Sequence, residues 1–235
     1  MAIIIGDIHG DLGKAKAFLA YKPEVDHIVL GDYVDSCSAE ITAVQELSCL
    51  DLLIDSEAVL LWGNHDLAYL SPSLWTIDHR FTAIQQDLCE RYESAHAAGR
   101  FKAAYAADGW VCTHAGASTS LTAASSNIPW ETGEASAIAD ALNAEFIREL
   151  SAGITGPLFY RGQVRGGSDH YGGIFWYDGR WEPSSPPDPR LRQIFGHTLT
   201  EGPMRKATWI NINIEDGYWI FDTETDGFAL LRGAE

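Results

Sequence analysis

The chain is poor in cysteine and in basic residues, and it has no long apolar run. Its four cysteines (Cys37, Cys49, Cys89 and Cys112, in 235 residues) show no Cys-x-x-Cys spacing. Paired-thiol motifs are thereby excluded, and free thiols in a reducing cytoplasm are expected. Lys and Arg number 16 against 33 Asp and Glu, a net charge of −17 with a sequence pI near 4.7. Such a balance opposes a broad footprint on nucleic acid or an anionic membrane, so neither is expected as a partner. A phosphate-bearing partner would have to be drawn in locally, by metal ions or a few arginines. No apolar stretch approaches the roughly 20 residues of a membrane helix. No basic or apolar leader precedes the first strand pattern, so a soluble cytoplasmic protein is expected. Internal repeats and low-complexity segments are absent too.

What is present is a core-forming composition, 46% hydrophobic and 11% aromatic with eight Trp. That is enough for one domain over residues 1–235. Short apolar runs at Ala2 to Ile5, His27 to Leu30 and Ala58 to Trp62 read as strands. Between them, Leu12, Ala15, Phe18 and Leu19 recur at helical spacing, and a second helix is expected from Ala39 to Leu53 with Ser38 as cap. Strand and helix in alternation imply parallel pairing with right-handed crossovers. The pattern then reads as helical from Ser71 to Ala107, strand from Asp108 to Thr113 and helix from Glu134 to Leu150. Loops are expected at Gly162 to Gly173 and Pro183 to Pro189. Ala207 to Ile214, Tyr218 to Thr223 and Phe228 to Leu231, separated by Asp216-Gly217 and Asp226-Gly227, predict an antiparallel meander. A parallel-rich sheet followed by an antiparallel one suggests two packed sheets.

Five short runs carry the chemistry: GDIHG at Gly6 to Gly10, GDYVDS at Gly31 to Ser36, GNHD at Gly63 to Asp66, THAG at Thr113 to Gly116 and GHT at Gly196 to Thr198. Three of them close predicted strands, where open α/β sheets place their sites. If they converge, Asp7, His9, Asp32, Asn64, His114 and His197 offer two carboxylates, three imidazoles and an amide carbonyl. That is enough for two divalent ions sharing a carboxylate, and mixed O and N ligands suit Mn first, or Fe or Zn, over Ca or Mg. A pair of such ions can hold a hydroxide between them and clamp a phosphoryl oxygen, so phosphoester hydrolysis is the implied reaction. His65 beside Asn64, oriented by Asp35, is the candidate general acid for the leaving alkoxide. Arg161 and Arg165, in the Gly-rich loop, are the candidate phosphate clamps.

These runs resemble the signature of the calcineurin-like metallophosphoesterases, in particular the phosphoprotein phosphatase branch with its related bacterial diadenosine tetraphosphate hydrolases. The resemblance spans Gly6 to Thr198. It implies an α/β fold, a four-layer αββα sandwich of two mixed β-sheets flanked by helices. It also implies one metal on Asp7, His9 and Asp32 and another on Asp32, Asn64, His114 and His197. Two departures stand out. Ser36 and Cys37 follow Asp35 where the branch has Arg and Gly, and Asp66 stands where eukaryotic members have Glu. Trp176-Tyr177-Asp178 is loosely similar to a Trp-Ser-Asp run of the family. The resemblance implies a phosphomonoesterase acting on phosphorylated protein or peptide, with dinucleoside polyphosphate or small-nucleotide hydrolysis as the alternative and a catalytically silent phospho-ligand binding module behind both.

Taken singly, each run is also ordinary turn composition. Four turns that each carry His in a matching context are much harder to explain that way. His27, His79, His96 and His170 belong to no run and read as surface or helix residues. Trp176 and Trp209 read as core or rim aromatics. Asp222-Thr-Glu-Thr-Asp-Gly227 is similar to the first carboxylate motif of two-metal exonucleases, but only eight residues follow it, so the hairpin reading holds.

Overall fold

The structure is a computed structural model that describes residues 1–71, 81–214 and 216–232. His79 and the 72–80 part of the expected helical segment lie outside the described residues. The strands are, in chain order, β1 (Ala2–Ile5), β2 (Asp26–Val29), β3 (Val59–Leu61), β4 (Phe101–Lys102), β5 (Ala104–Ala107), β6 (Trp110–Thr113), β7 (Gln193–Phe195), β8 (Met204–Arg205), β9 (Trp209–Asn211), β10 (Tyr218–Asp222) and β11 (Gly227–Leu231). The helices are α1 (Leu12–Ala20), α2 (Ala43–Ile54), α3 (Asn64–Leu70), α4 (Gln85–Ala97), α5 (Thr119–Ala124) and α6 (Ala135–Ser151). Two compact units result, one of residues 2–102 and 217–235, the other of Met1 and residues 103–216.

The first unit holds a six-stranded mixed sheet in the order β11-β10-β1-β2-β3-β4. Strands β1 to β4 are parallel neighbours. The all-apolar run Ala2–Ile5 is buried along its whole length, as a parallel strand covered on both faces must be. Helix α1 begins at Asp11, whose carboxylate accepts the Lys14 N–H at 2.8 Å, and it packs on α2.

Helix α2 starts later than the periodicity predicts. Thr42 and Gln45 form a reciprocal capping box that outcompetes Ser38 as the N-cap. Ser38 instead closes a turn, its N–H on the Ser36 hydroxyl.

The second unit holds a five-stranded mixed sheet, β5-β6-β7-β9-β8, in which β6, β7 and β9 run parallel and the two edge strands antiparallel. Helix α6 covers β5 and β6. Residues 101–107, expected as helix, form β4 and β5. The Ala-rich segment has helical propensity, but Asn143 of α6 overrides it. Its side chain accepts the N–H groups of Ala103 and Ala104 and donates to the Ala104 carbonyl.

The expected C-terminal meander is divided. The Asp226-Gly227 hairpin forms, with Asp222 opposite Gly227. Asp216-Gly217 does not make a hairpin: β9 pairs with β7 and β8, while β10 takes the free edge of β1, Ile3 opposite Asp222. Both sheets are therefore mixed, rather than one parallel and one antiparallel. The outcome is a mixed α/β fold of two mixed sheets flanked by helices.

Candidate metal centre

In the first unit, the loops after β1 and β2 bring Asp7, His9 and Asp32 together, with one ligand atom of each within 4.8 Å of the others. The His9 ring fits a metal. Its Nδ1 lies 2.8 Å from the Val34 carbonyl, which can only accept, so Nδ1 carries the proton and Nε2 keeps its lone pair. That Nε2 lies 3.8 Å from an Asp7 carboxylate oxygen, too far for a hydrogen bond and suited to two ligands of one ion. Asp7 and Asp32 are buried. Two buried carboxylates with an imidazole beside them call for a cation between them.

The backbone marks the same place. Eight non-glycine residues have positive φ among the described residues, and four of them (His9, Asp32, Asp35 and His197) are candidate site residues. Each costs about 1 kcal/mol or more, strain that collects where function overrides local preference. Gly63 has a tighter demand. A Cβ there would lie 2.1 Å from Asp32 Oδ1 and 2.4 Å from the Asp32 nitrogen. Gly63→Ala must therefore push Asp32 aside, and metal content measured after dialysis against limiting Mn should fall at least about tenfold in apparent affinity. Wild-type affinity in the variant would disprove that coupling.

Helix α3 begins at Asn64, which is buried, and delivers His65 and Asp66 from its first turn. The His65 backbone N–H donates to Asp32 Oδ1 at 3.0 Å, and its ring Nδ1 donates to Asp35 Oδ2 at 3.0 Å. Asp35 Oδ1 accepts the Tyr69 hydroxyl at 2.8 Å, so the carboxylate is held on both sides. With Nδ1 committed, Nε2 is left to act, and at 26% exposure the His65 side chain is open to a ligand. Burial disfavours the imidazolium, but Asp32, then hydrogen-bonded Asp35, then Asp66 outweigh it and raise His65 from 6.5 to about 9.

Sequence reasoning passed over several supports of this loop cluster. Asp66 accepts the N–H groups of Asp32, Tyr33 and Gly63 and the hydroxyl of Tyr92, tying the loops after β2 and β3 and helix α4 to one carboxylate. Burial and then the Asp32 charge raise it to about 7 against the pull of those donors. Glu46, fully buried on α2, accepts the Ser36 N–H at 2.8 Å, and burial pushes its carboxyl up. Lys14 donates to the Asp7 carbonyl at 2.6 Å. Tyr69 could have been found, since it lies one helical turn beyond His65. Glu46 and Tyr92 carry no signal, being ordinary polar positions of predicted helices.

In the second unit, THAG follows β6 and GHT follows β7, parallel neighbours whose ends lie side by side. Gly196 donates to the His114 carbonyl at 2.7 Å, and His114 Nε2 lies 3.1 Å from His197 Nδ1. Two buried imidazoles thus present nitrogens to a common point. The Trp176 ring meets His197 edge to face at 5.7 Å, and the Arg161 guanidinium stacks on Trp176 at 4.3 Å. Arg161 also donates through Nε to the Arg165 carbonyl at 2.5 Å. Burial, then the charge of Arg165, lowers Arg161 from its ordinary value. Arg165 itself is paired with buried Asp178 at 2.7 Å. The two arginines sit in one loop but differ in commitment: Arg161 lies on an aromatic face and Arg165 on a carboxylate. Cys37 is exposed, and all four cysteines are free thiols.

The chain has counterparts among known proteins. A Caenorhabditis elegans protein described as a serine/threonine-protein phosphatase is 34% identical over 68 residues, 28% of this chain and 15% of its own. A protein phosphatase 2A catalytic chain of Dictyostelium discoideum is 33% identical over 66 residues, 27% of this chain and 21% of its own. These matches therefore span about a fifth or less of the relatives' lengths. A solved protein serine/threonine phosphatase from Saccharomyces cerevisiae, described as similar to human phosphatase PP5, superposes with a TM-score of 0.52 at 15% identity. It covers 89% of this chain and 65% of its own, a likeness of fold. Residues 2–200 match the family described as calcineurin-like phosphoesterase, most of the chain and every run of the site. The chain belongs to the calcineurin-like phosphoesterase family.

Proposed function

We propose that this protein is a metal-dependent phosphomonoesterase of the phosphoprotein phosphatase kind, acting on phosphorylated protein or peptide. The observation that carries the reading is the Asp7, His9 and Asp32 cluster with the His65–Asp35 pair hydrogen-bonded beside it. In this reading the two units work as one catalytic domain. Asp7, His9 and Asp32 would hold one divalent ion, and Asp32, Asn64, His114 and His197 would hold the second. The mixed donor set favours Mn, with Fe or Zn as substitutes. Bound there, the ions supply positive charge for phosphoryl oxygens and a water nucleophile at neutral pH.

The chain's own residues do the rest. Asp35 keeps the His65 ring in one orientation, and Nε2 gives its proton to the leaving alkoxide, which otherwise departs as a poor leaving group. Arg161, over the Trp176 ring, offers N–H donors to the non-bridging phosphoryl oxygens, with Arg165 placing it through its carbonyl. With Ser36 where the branch has Arg, the phosphate grip falls more heavily on this loop. The phosphatase relatives weigh against the dinucleoside polyphosphate alternative. Four thiols without a disulfide fit a cytoplasmic setting.

Metal-stripped protein assayed with and without Mn on p-nitrophenyl phosphate, its bis-ester, phosphopeptides and diadenosine tetraphosphate tests the reading. Mn-dependent turnover that prefers the monoesters is expected. Preference for the dinucleotide would transfer the assignment to nucleotide hydrolysis, and no turnover with metal bound would overturn it.

A further inference from the structure

Beside the GHT run, the second unit carries a recessed surface that none of the candidate metal ligands lines. It consists of two adjoining wells that share Arg180 and Thr198, the residue after His197. One well, about 560 Å³, is walled by Phe195, Met204 and Trp209 and is mostly apolar. The other, about 460 Å³, has the Arg165–Asp178 ion pair in its wall and Val164, Trp181 and Leu199 at its rim.

The two wells gather an unusual surface. Eight large hydrophobic side chains are exposed among the described residues, and Val164, Trp181, Leu199 and Met204 are four of them. Trp181 is 62% exposed, which serves no core. Contiguous exposed apolar groups with a Trp and an Arg among them are the composition of a recognition surface.

The charge at the junction points to the ligand. Arg165 is neutralised by Asp178. The Arg180 guanidinium instead donates to the Leu199 carbonyl and makes no ion pair with a carboxylate among the described residues. It is a cation without a carboxylate ion pair among the described residues, set between an apolar well and an exposed Trp. Arg beside apolar walls binds carboxylate through a planar fork, where Lys would be a point charge.

We propose that this groove takes the segment of a phosphoprotein substrate that flanks the phosphorylated residue, seating an acidic side chain on Arg180 and a large apolar side chain between Phe195, Met204 and Trp209. The proposal rests on the phosphatase reading above and narrows it to substrates with acidic-apolar flanks. Thr198, which lines both wells, directly follows the candidate ligand His197 in the chain.

The test compares phosphoserine peptides carrying Glu and Leu on one side of the phosphoserine, in each direction, with peptides carrying Ala at those positions. With Mn-loaded protein, the better Glu/Leu peptide should show kcat/KM at least about tenfold higher, carried in KM, equivalent to about 1.4 kcal/mol. Arg180→Gln and Trp181→Ala should each shrink that ratio to within about twofold, with unfolding midpoint and metal content showing that the variant is folded and loaded. Anisotropy of the labelled dephosphorylated Glu/Leu peptide reads the groove without turnover and should show weaker binding to Arg180→Gln than to the unsubstituted protein. Equal kcat/KM for the two peptides, a ratio that survives both variants, or equal binding to Arg180→Gln and the unsubstituted protein would overturn the groove. Absent hydrolysis of every phosphoester alongside the expected anisotropy difference would instead overturn the phosphatase reading and leave the groove standing.

Discussion

His65→Asn should lower turnover of a phosphopeptide at least about a hundredfold while bound metal stays near its original content. Asn keeps the backbone N–H that donates to Asp32 Oδ1, because that bond does not involve the side chain. What it removes is the titratable proton that Asp35 holds in place beside the cluster. The loss should fall on substrates with poor leaving groups, phosphoserine above all, and much less on p-nitrophenyl phosphate, whose leaving group needs no proton. Stopped assays on both substrates, with metal analysis of the same preparation, make the comparison. Equal losses on the two would mean that His65 acts in binding rather than as the acid.

The same ring sets a pH dependence. Its folded-state value, about 9, lies above the ordinary 6.5, so its stabilising contribution is complete below about 6.5 and is lost as pH rises through about 9. The metal-free protein should therefore melt at falling temperature over that window, and His65→Asn should flatten the slope. In the loaded enzyme a cation on Asp32 cancels the leading charge that raises His65, so the alkaline limb of activity should fall below pH 9.

Asp66→Ala should destabilise the protein by about 3 to 5 kcal/mol, the larger structural effect of the two. It removes the acceptor of four donors at once: the N–H groups of Asp32, Tyr33 and Gly63 and the hydroxyl of Tyr92. All are buried, so water cannot replace the lost acceptor at low cost. Asp66→Asn should recover little, because its amide NH₂ would confront donors where the carboxylate accepts. Since the Asp32 and Gly63 loops are both released, metal affinity should fall along with the denaturation midpoint. Urea unfolding with and without Mn measures both. A loss under about 1 kcal/mol would show that the loops are held by something other than this carboxylate.

Much of this site is legible in the amino-acid sequence. Each run places a ligand type right after an apolar stretch, and a four-residue strand with a Gly-Asp at its end is a local pattern that periodicity and turn chemistry expose. Strands β1 to β3 and helices α1 and α6 follow from such local signals. What lies outside local pattern is what distant segments decide. Residues 101–107 look helical until Asn143, some 40 positions away, supplies the hydrogen bonds of a strand edge. Tyr218–Asp222 looks like the partner of the preceding strand until the open edge of β1, far away in the chain, takes it instead.

The amino-acid sequence by itself determined the chemistry: which residues could bind metal, which could give a proton, and at which strand ends they stand. Those depend on residue type and on short-range periodicity, which the chain carries at every position. Only the tertiary structure decided which sheet each C-terminal strand joins, that Asp66 ties two loops to helix α4, that Glu46 lies under Ser36, and that Arg161 rests on Trp176 while Arg165 rests on Asp178. These are contacts between residues far apart in the chain. Their partner is chosen by burial and hydrogen-bond satisfaction in the folded state, which no window of sequence contains.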